Sequence, residues 1–470
     1  MNLNSTYSPQ IRTVLDNGLV VLVWENPAAD IIAARIFVRA GSRWETPQQA
    51  GLSNLVAAVL TKGTEQFSSY EIADRVESVG ASLSADAATD YFLLSLKTVS
   101  SDFEEILQLA GELLRSPSFP IQEIELERRL VLQAIRSQQE QPFTVAFDQL
   151  RQGMYRDHPY ALSGLGTEDS IAQLTQEDFF RYHQTHFRPD NMVISLSGRV
   201  DSESAIALIN QVFGDWQAPD TPLTSLTLPV ITSEPTRIAI AQETQQSIVM
   251  LGYLAPAVGS REERAEGRGQ RAEGSTQSSV LSPQSSVSIQ NSHPTPHTPH
   301  PTPPFQDYAA LKLLNSYLGN GLSSRLFVEL REKRGLAYEV SAFYPTRLDP
   351  AQFVVYMGTA PDNTEIALEG LQTEVDRLRT EQLTPEELQS AKNKILGQYA
   401  LGKQTNSQIA QIFGWYETLG LGIDFDRYFQ EQIAAVTLEL AQEAAFRYLT
   451  EPYAVLLGPE VAVKGLANLC

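Results

Sequence analysis

The sequence predicts an α+β protein of two structurally similar halves, each a mainly antiparallel sheet packed with helices. Three observations predict it. Apolar, β-rich segments alternate with segments of helical periodicity in the order strands, helices, strand, helices, strand, helix. After a stretch rich in Pro, Thr and Ser at 222–235 the pattern begins again. A short echo, Gly51-Leu52-Ser53 and Gly321-Leu322-Ser323, opens an amphipathic helix in each half.

In the first half, Val14-Leu15, the turn dipeptide Asn17-Gly18 and the run Leu19 to Val23 predict a hairpin, because Asn-Gly supplies the positive φ that a tight turn needs. Ile31 to Val38 is a third strand. Gly51 to Leu60 and Ser69 to Val79 follow as helices, the second capped by Ser68 or Ser69. Tyr91 to Leu96 is a strand, Asp102 to Leu114 and Gln122 to Gln139 helices, Met192 to Ser197 a strand and Ala205 to Phe213 a helix. In the second half, Arg237 to Ala241 and Ser247 to Tyr253 are strand-like. Tyr308 to Tyr317 and Ser323 to Glu332 are helical, Ala337 to Tyr344 and Phe353 to Gly358 strands, Asn363 to Thr380 and Pro385 to Gly402 helices. Domains at 1–228 and 229–470 follow. Within the second, 258–304 runs through Arg/Glu/Gly, Ser/Gln and His-Pro-Thr tracts with almost no large apolar side chains after Leu281, the composition of a disordered insertion. Its His293, His297 and His300 sit in a Pro-rich tract that offers a metal no fixed tetrahedral geometry.

Composition narrows the function. The chain has 470 residues, 42% hydrophobic and 19% charged, a balance that buries a sizeable core. With 35 Lys and Arg against 56 Asp and Glu the formal net charge is −21, which repels nucleic acid and anionic membrane. The single cysteine, Cys470, excludes an intrachain disulfide and a cysteine metal cluster. Met1 to Gln10 is polar and no run approaches the ~20 apolar residues that span a bilayer, so a cytoplasmic protein with no membrane span is expected.

The segment Ala50 to Thr64, AGLSNLVAAVLTKGT, resembles the active-site helix of the pitrilysin/insulinase (inverzincin) metallopeptidase family, which carries His-x-x-Glu-His. Positions i, i+3 and i+4 share a helical face, so two imidazoles can hold zinc beside a carboxylate that activates water. Here those positions are Asn54, Ala57 and Ala58. The family's downstream glutamate ligand falls in Glu127 to Ile135, ERRLVLQAI, where Ala134 or Gln133 stands in its place. The resemblance therefore implies that this chain binds no metal of its own. Further landmarks of the family are Asp16 to Leu19, Val38 to Arg43, Asp157-His158-Pro159-Tyr160, Tyr182 to Phe187 and Pro189 to Met192. His183 and His186, although at His-x-x-His spacing, are expected as structural residues at a helix end.

The second half is similar to the family's Arg/Tyr motif over Ser323 to Tyr338, with Arg331 followed seven residues later by Tyr338. In the family this pair reaches into the active site and binds substrate backbone near the scissile bond, work that suits a guanidinium and a phenol. Loss of the metal set with retention of Arg331 and Tyr338 resembles the non-catalytic subunit of bacterial heterodimeric members and the α subunit of mitochondrial processing peptidase. That α subunit has a long glycine-rich loop where this chain has only Gly319-Asn320-Gly321. The resemblance implies one half of a clamshell, closed by a homologous zinc-bearing subunit. A homodimer is the state left open when that partner is absent. Unfolded peptide is the implied substrate, held in extended form at a sheet edge. The alternative is a structural or peptide-binding homologue with no proteolytic role, like the core proteins of the respiratory cytochrome bc complex.

Overall fold

The computed structural model describes residues 10–223, 225–258 and 303–466. The first half contributes β1 (Gln10–Val14), β2 (Val20–Glu25), β3 (Ile32–Val38), β4 (Ser82–Ala87), β5 (Phe92–Thr98) and β6 (Met192–Gly198). Its helices are α1 (Leu52–Leu60), α2 (Ser69–Ser78), α3 (Phe103–Arg115), α4 (Ile121–Gln139), α5 (Pro142–Tyr155), α6 (Glu168–Gln173), α7 (Gln176–His186) and α8 (Ser202–Phe213). The second half has β7 (Thr236–Ala241), β8 (Ser247–Ala255), β9 (Ala337–Phe343), β10 (Ala351–Thr359) and β11 (Tyr453–Gly458). Its helices are α9 (Pro303–Gly319), α10 (Thr364–Thr380), α11 (Pro385–Leu401), α12 (Asn406–Thr418), α13 (Phe425–Ala435), α14 (Leu438–Tyr448) and α15 (Glu460–Val463), with a π-helical segment at Phe327–Lys333.

The two sheets follow one plan. Their strand orders are β1-β2-β6-β3-β5-β4 and β7-β11-β8-β10-β9, so each position from β2 onward in the first sheet has a counterpart in the second. Each sheet is antiparallel except for one pair, β2 with β6 and β7 with β11, which run parallel. The expected repeat is therefore present as architecture. The Gly-Leu-Ser echo does not mark equivalent helices: α1 is the first helix after β3, whereas the segment behind Gly321 is, among the described residues, the second after β8.

Local chemistry accounts for the element ends. Gly18 sits at φ +88° in the first turn, where Asn17 Oδ1 accepts the Leu19 N–H at 3.2 Å. Ser68 and Glu71 form a reciprocal capping box on α2, and Thr384 and Glu387 do the same on α11. Most of the predicted insertion lies outside the described residues, as do Cys470 and the three histidines of its tract. Its ends need correction: Val258 is buried, with its N–H donated to the Arg347 carbonyl, and α9 begins at Pro303.

The halves exchange helices. α5, from the first half, lies on β8 and β11 of the second sheet, where Ala146, Leu150 and Met154 pack against Ile248, Met250 and Val455. α12, from the second half, lies on β3 and β6 of the first sheet. Gly414 of α12 allows that approach, because a Cβ there would stand 2.4 Å from the Phe37 ring and 2.7 Å from Ser195 Cβ. Trp24 stacks on Phe413 at 4.4 Å between centroids, so one apolar core runs through both halves.

Candidate functional site

Helix α1 packs against α4 and along β4, the edge strand of the first sheet. Asn54 and Ala58 are half-buried on α1, Ala57 is buried there, and Ala134 is half-buried on α4, beside the exposed Gln133. Lys62 and Glu127 join the two helices by an ion pair at 3.6 Å. The four positions offer an amide and three methyl groups where zinc takes thiolate, imidazole or carboxylate. The residues do not fit a zinc ion. Among the described residues no group of three or more His, Cys, Asp and Glu could hold a metal.

The start of α1 is held by a residue that carries no local signal in the sequence. Buried Glu45 accepts the Gly51 N–H at 2.9 Å and the Ser53 N–H at 2.6 Å, satisfying donors that a helix start leaves open. Burial pushes its carboxyl up, while the hydrogen bonds from Ser53 and Gly51 pull the other way.

The second half places Arg331 and Tyr338 on adjoining elements. Arg331 lies in the π-helical segment, which contacts β9, and Tyr338 is the second residue of β9, the edge strand of the second sheet. A wider helical turn of this kind recurs at functional sites. Arg331 is exposed, with its guanidinium carbon 4.9 Å from the Phe327 ring centroid, and Tyr338 is 73% exposed. Each candidate set therefore includes a helical segment beside the free edge of its own sheet, β4 in the first and β9 in the second.

His183 and His186 belong to the core of the first half. His183 Nε2 lies 2.8 Å from the Leu114 carbonyl, and its ring stacks on Phe187; His186 is wedged between Trp44 and Tyr182. Burial pushes both imidazoles down to about 4. They are neutral packing groups at physiological pH.

Several family landmarks meet in a polar cluster that ties the halves together. Tyr160 donates to Asp90 Oδ1 at 2.6 Å and accepts the Asp349 N–H at 3.3 Å. Arg43 reaches Asp349 at 2.5 Å and Asp90 at 4.0 Å, Arg347 lies 3.9 Å from Asp90, and His158 Nε2 is 3.7 Å from Asp349. Burial pushes the Asp90 carboxyl up, offset first by Arg347 and then by the Tyr160 hydroxyl. Arg43, His158 and Tyr160 lie in stretches that the sequence marked; Asp90, Arg347 and Asp349 carry no local signal, because only the fold brings them there.

Known proteins agree with this architecture. The profile described as insulinase (peptidase family M16) matches residues 20–168, and that described as peptidase M16 inactive domain matches 173–281 and 297–395. An uncharacterized zinc protease of Bacillus subtilis is 26% identical over 447 residues, covering 95% of this chain and 97% of the relative. One from Mycobacterium leprae is 25% identical over 468 residues, covering 97% and 93%. Among solved structures, a protease from Helicobacter pylori superposes with a TM-score of 0.81 at 19% identity, covering 96% of this chain and 100% of the other. A peptidase M16 inactive domain from Pseudomonas fluorescens gives 0.81 at 23%, covering 96% and 98%. A fold of two repeated halves, profile matches along both of them and relatives that align over nearly the whole chain lead to one conclusion: the chain belongs to the insulinase, or M16, family of peptidases.

Proposed function

We propose that this chain is the non-catalytic, substrate-positioning subunit of a heterodimeric zinc metallopeptidase that degrades or processes unfolded peptides. The observation that carries this reading is the unlike content of the two sheet edges. Beside β4 the metal positions hold Asn54, Ala57, Ala58 and Ala134, whereas beside β9 the side chains of Arg331 and Tyr338 are exposed. An exposed guanidinium resting on an aromatic ring is oriented before substrate arrives. Arg331 and Tyr338 would donate to carbonyl oxygens of a peptide shared with a zinc-bearing homologue, and donors aimed at developing negative charge stabilise it. The free edges of β4 and β9 suit an extended peptide that adds as a strand.

Cleavage of an unstructured peptide by a zinc-bearing homologue from the same source, with and without this chain, tests the reading. Activity is expected only in the mixture. It should fall at least tenfold, or about 1.4 kcal/mol of transition-state stabilisation, with an Arg331→Ala/Tyr338→Phe chain. A homologue fully active alone and unchanged by this chain would leave the structural role in its place.

A further inference from the structure

We infer that the open flank of the seat that holds α12 on the first sheet is a binding site for the C-terminal carboxylate of an extended peptide. The inference rests on the peptide-binding reading above and adds to it which end of the peptide is recognised and where.

Arg35 projects from β3 toward a cavity of about 420 Å³ between the first sheet and α12, lined also by Tyr91, Ser407, Gln408, Gln411 and Trp415. Its Nη1 donates to the carbonyls of Ala34 at 3.1 Å and Leu96 at 3.4 Å. Among the described residues no carboxylate pairs with it within 4.0 Å; Asp86, on β4, acts on it only at longer range. A half-buried guanidinium with neutral acceptors alone still has part of its planar fork free, and that fork matches a carboxylate in two parallel hydrogen bonds.

The surroundings favour the end of a peptide over a free anion. Arg35 stands opposite Ser95 on β5, and Ser95 opposite Ser84 on β4, so a row of hydroxyls leads across one sheet face to the free edge. At about 4.8 Å per strand that path is about 10 Å long, the reach of a few peptide residues. Ser84 is exposed and Ser95 half-buried, so the row is open to a chain lying over it. Trp415 and Tyr91 give an aromatic wall for the last side chain, and Gln411 and Ser407 supply donors and acceptors for its backbone. A cavity of this size lies near the lower end of the small-ligand range, enough for a terminal residue and too small for a folded domain. The net charge of −21 repels a free small acid at long range, whereas a peptide held along the sheet brings its carboxylate with it.

The corresponding seat in the second half supports the assignment by contrast. There, where α5 lies on the second sheet, Phe143 meets Tyr356 at 4.8 Å and Phe147 meets Phe343 at 5.5 Å, so aromatic rings occupy the place that Arg35 leaves open.

Fluorescence anisotropy with an N-terminally labelled, unstructured peptide tests the site on the full chain. The free-acid peptide is expected to bind at least tenfold more tightly than the same peptide with a C-terminal amide. Arg35→Gln should lower the acid to the level of the amide and leave the amide unchanged. The acid–amide comparison uses the unaltered chain and stands even where the variant fails to fold. Equal binding of the two peptides overturns the inference and leaves the peptide-binding reading intact; binding of neither overturns both. N-acetylphenylalanine binding as tightly as the acid peptide would assign the cavity to small free acids instead.

Discussion

Each half seats a helix that comes from the other, and the two seats are finished differently. α5 meets the second sheet through Ala146, Leu150 and Met154 and then through the rings of Phe143, Phe147, Phe343 and Tyr356, so the contact is apolar along its length. α12 meets the first sheet tightly at Asn406, at Phe413 and Gly414, and at Glu417, which pairs with Arg12, and leaves a cavity over Arg35 along the flank that carries Ser407, Gln411 and Trp415. One backbone plan thus tolerates a filled seat and a partly open one, provided that the tight contacts carry enough burial to hold the helix. The difference teaches that repetition of a fold does not repeat its chemistry. The same holds at the sheet edges, where one repeat presents methyl groups and the other Arg331 and Tyr338.

If the tight contacts hold α12, Phe413→Ala should cost about 3–5 kcal/mol, and Phe147→Ala, which truncates a partly buried ring, about 2 kcal/mol. Equal losses in thermal unfolding would erase the contrast between the seats. Acid should act on the first half, which contains all the histidines among the described residues. The folded state holds His183 and His186 neutral down to about pH 4, while the unfolded chain takes up protons from about pH 6.5. Their contribution is therefore complete above about pH 6.5 and lost as the pH falls toward 4, on the order of 3 kcal/mol for each. The thermal midpoint should fall across that window, less steeply in His186→Phe; an unchanged slope would remove His186 from the account. Gly414→Ala should cost about 1–3 kcal/mol, because the new Cβ meets the buried Phe37 ring and Ser195, and Gly153→Ala should cost less, because it meets the outer end of Tyr453. The smallest effect is expected at the α1–α4 contact: Lys62→Ala should change stability by less than about 1 kcal/mol, since Lys62 keeps much of its side chain in water.

Most strands and the long helices are legible in the sequence because their apolar periodicity is local. β4, Ser-Leu-Ser-Ala-Asp-Ala, is not legible: it has no β-branched or aromatic residue, and pairing with β5 supplies what propensity lacks. α5 and α12 also escape, since what buries their inner faces lies in the other half of the chain. Asn54, Ala57, Ala58 and Ala134, like Arg331 and Tyr338, stand out by their place in sequence motifs, whereas the π-helical turn under Arg331 is a change of register with no residue type of its own. Arg35 gives no signal either; only the row Ser84, Ser95, Arg35 across three strands makes it stand out.

The exchange of α5 and α12 also sets a timetable for the nascent chain. The face of the first sheet made by Leu22, Trp24, Phe37 and Val193 is complete once β6 ends at Gly198, yet its cover begins only at Asn406. Roughly 200 residues must still be made, about 10–40 s of synthesis at about 5–20 residues per second. For that interval an apolar sheet face stands in water on the ribosome, and the first half cannot complete its fold until the second has nearly been made.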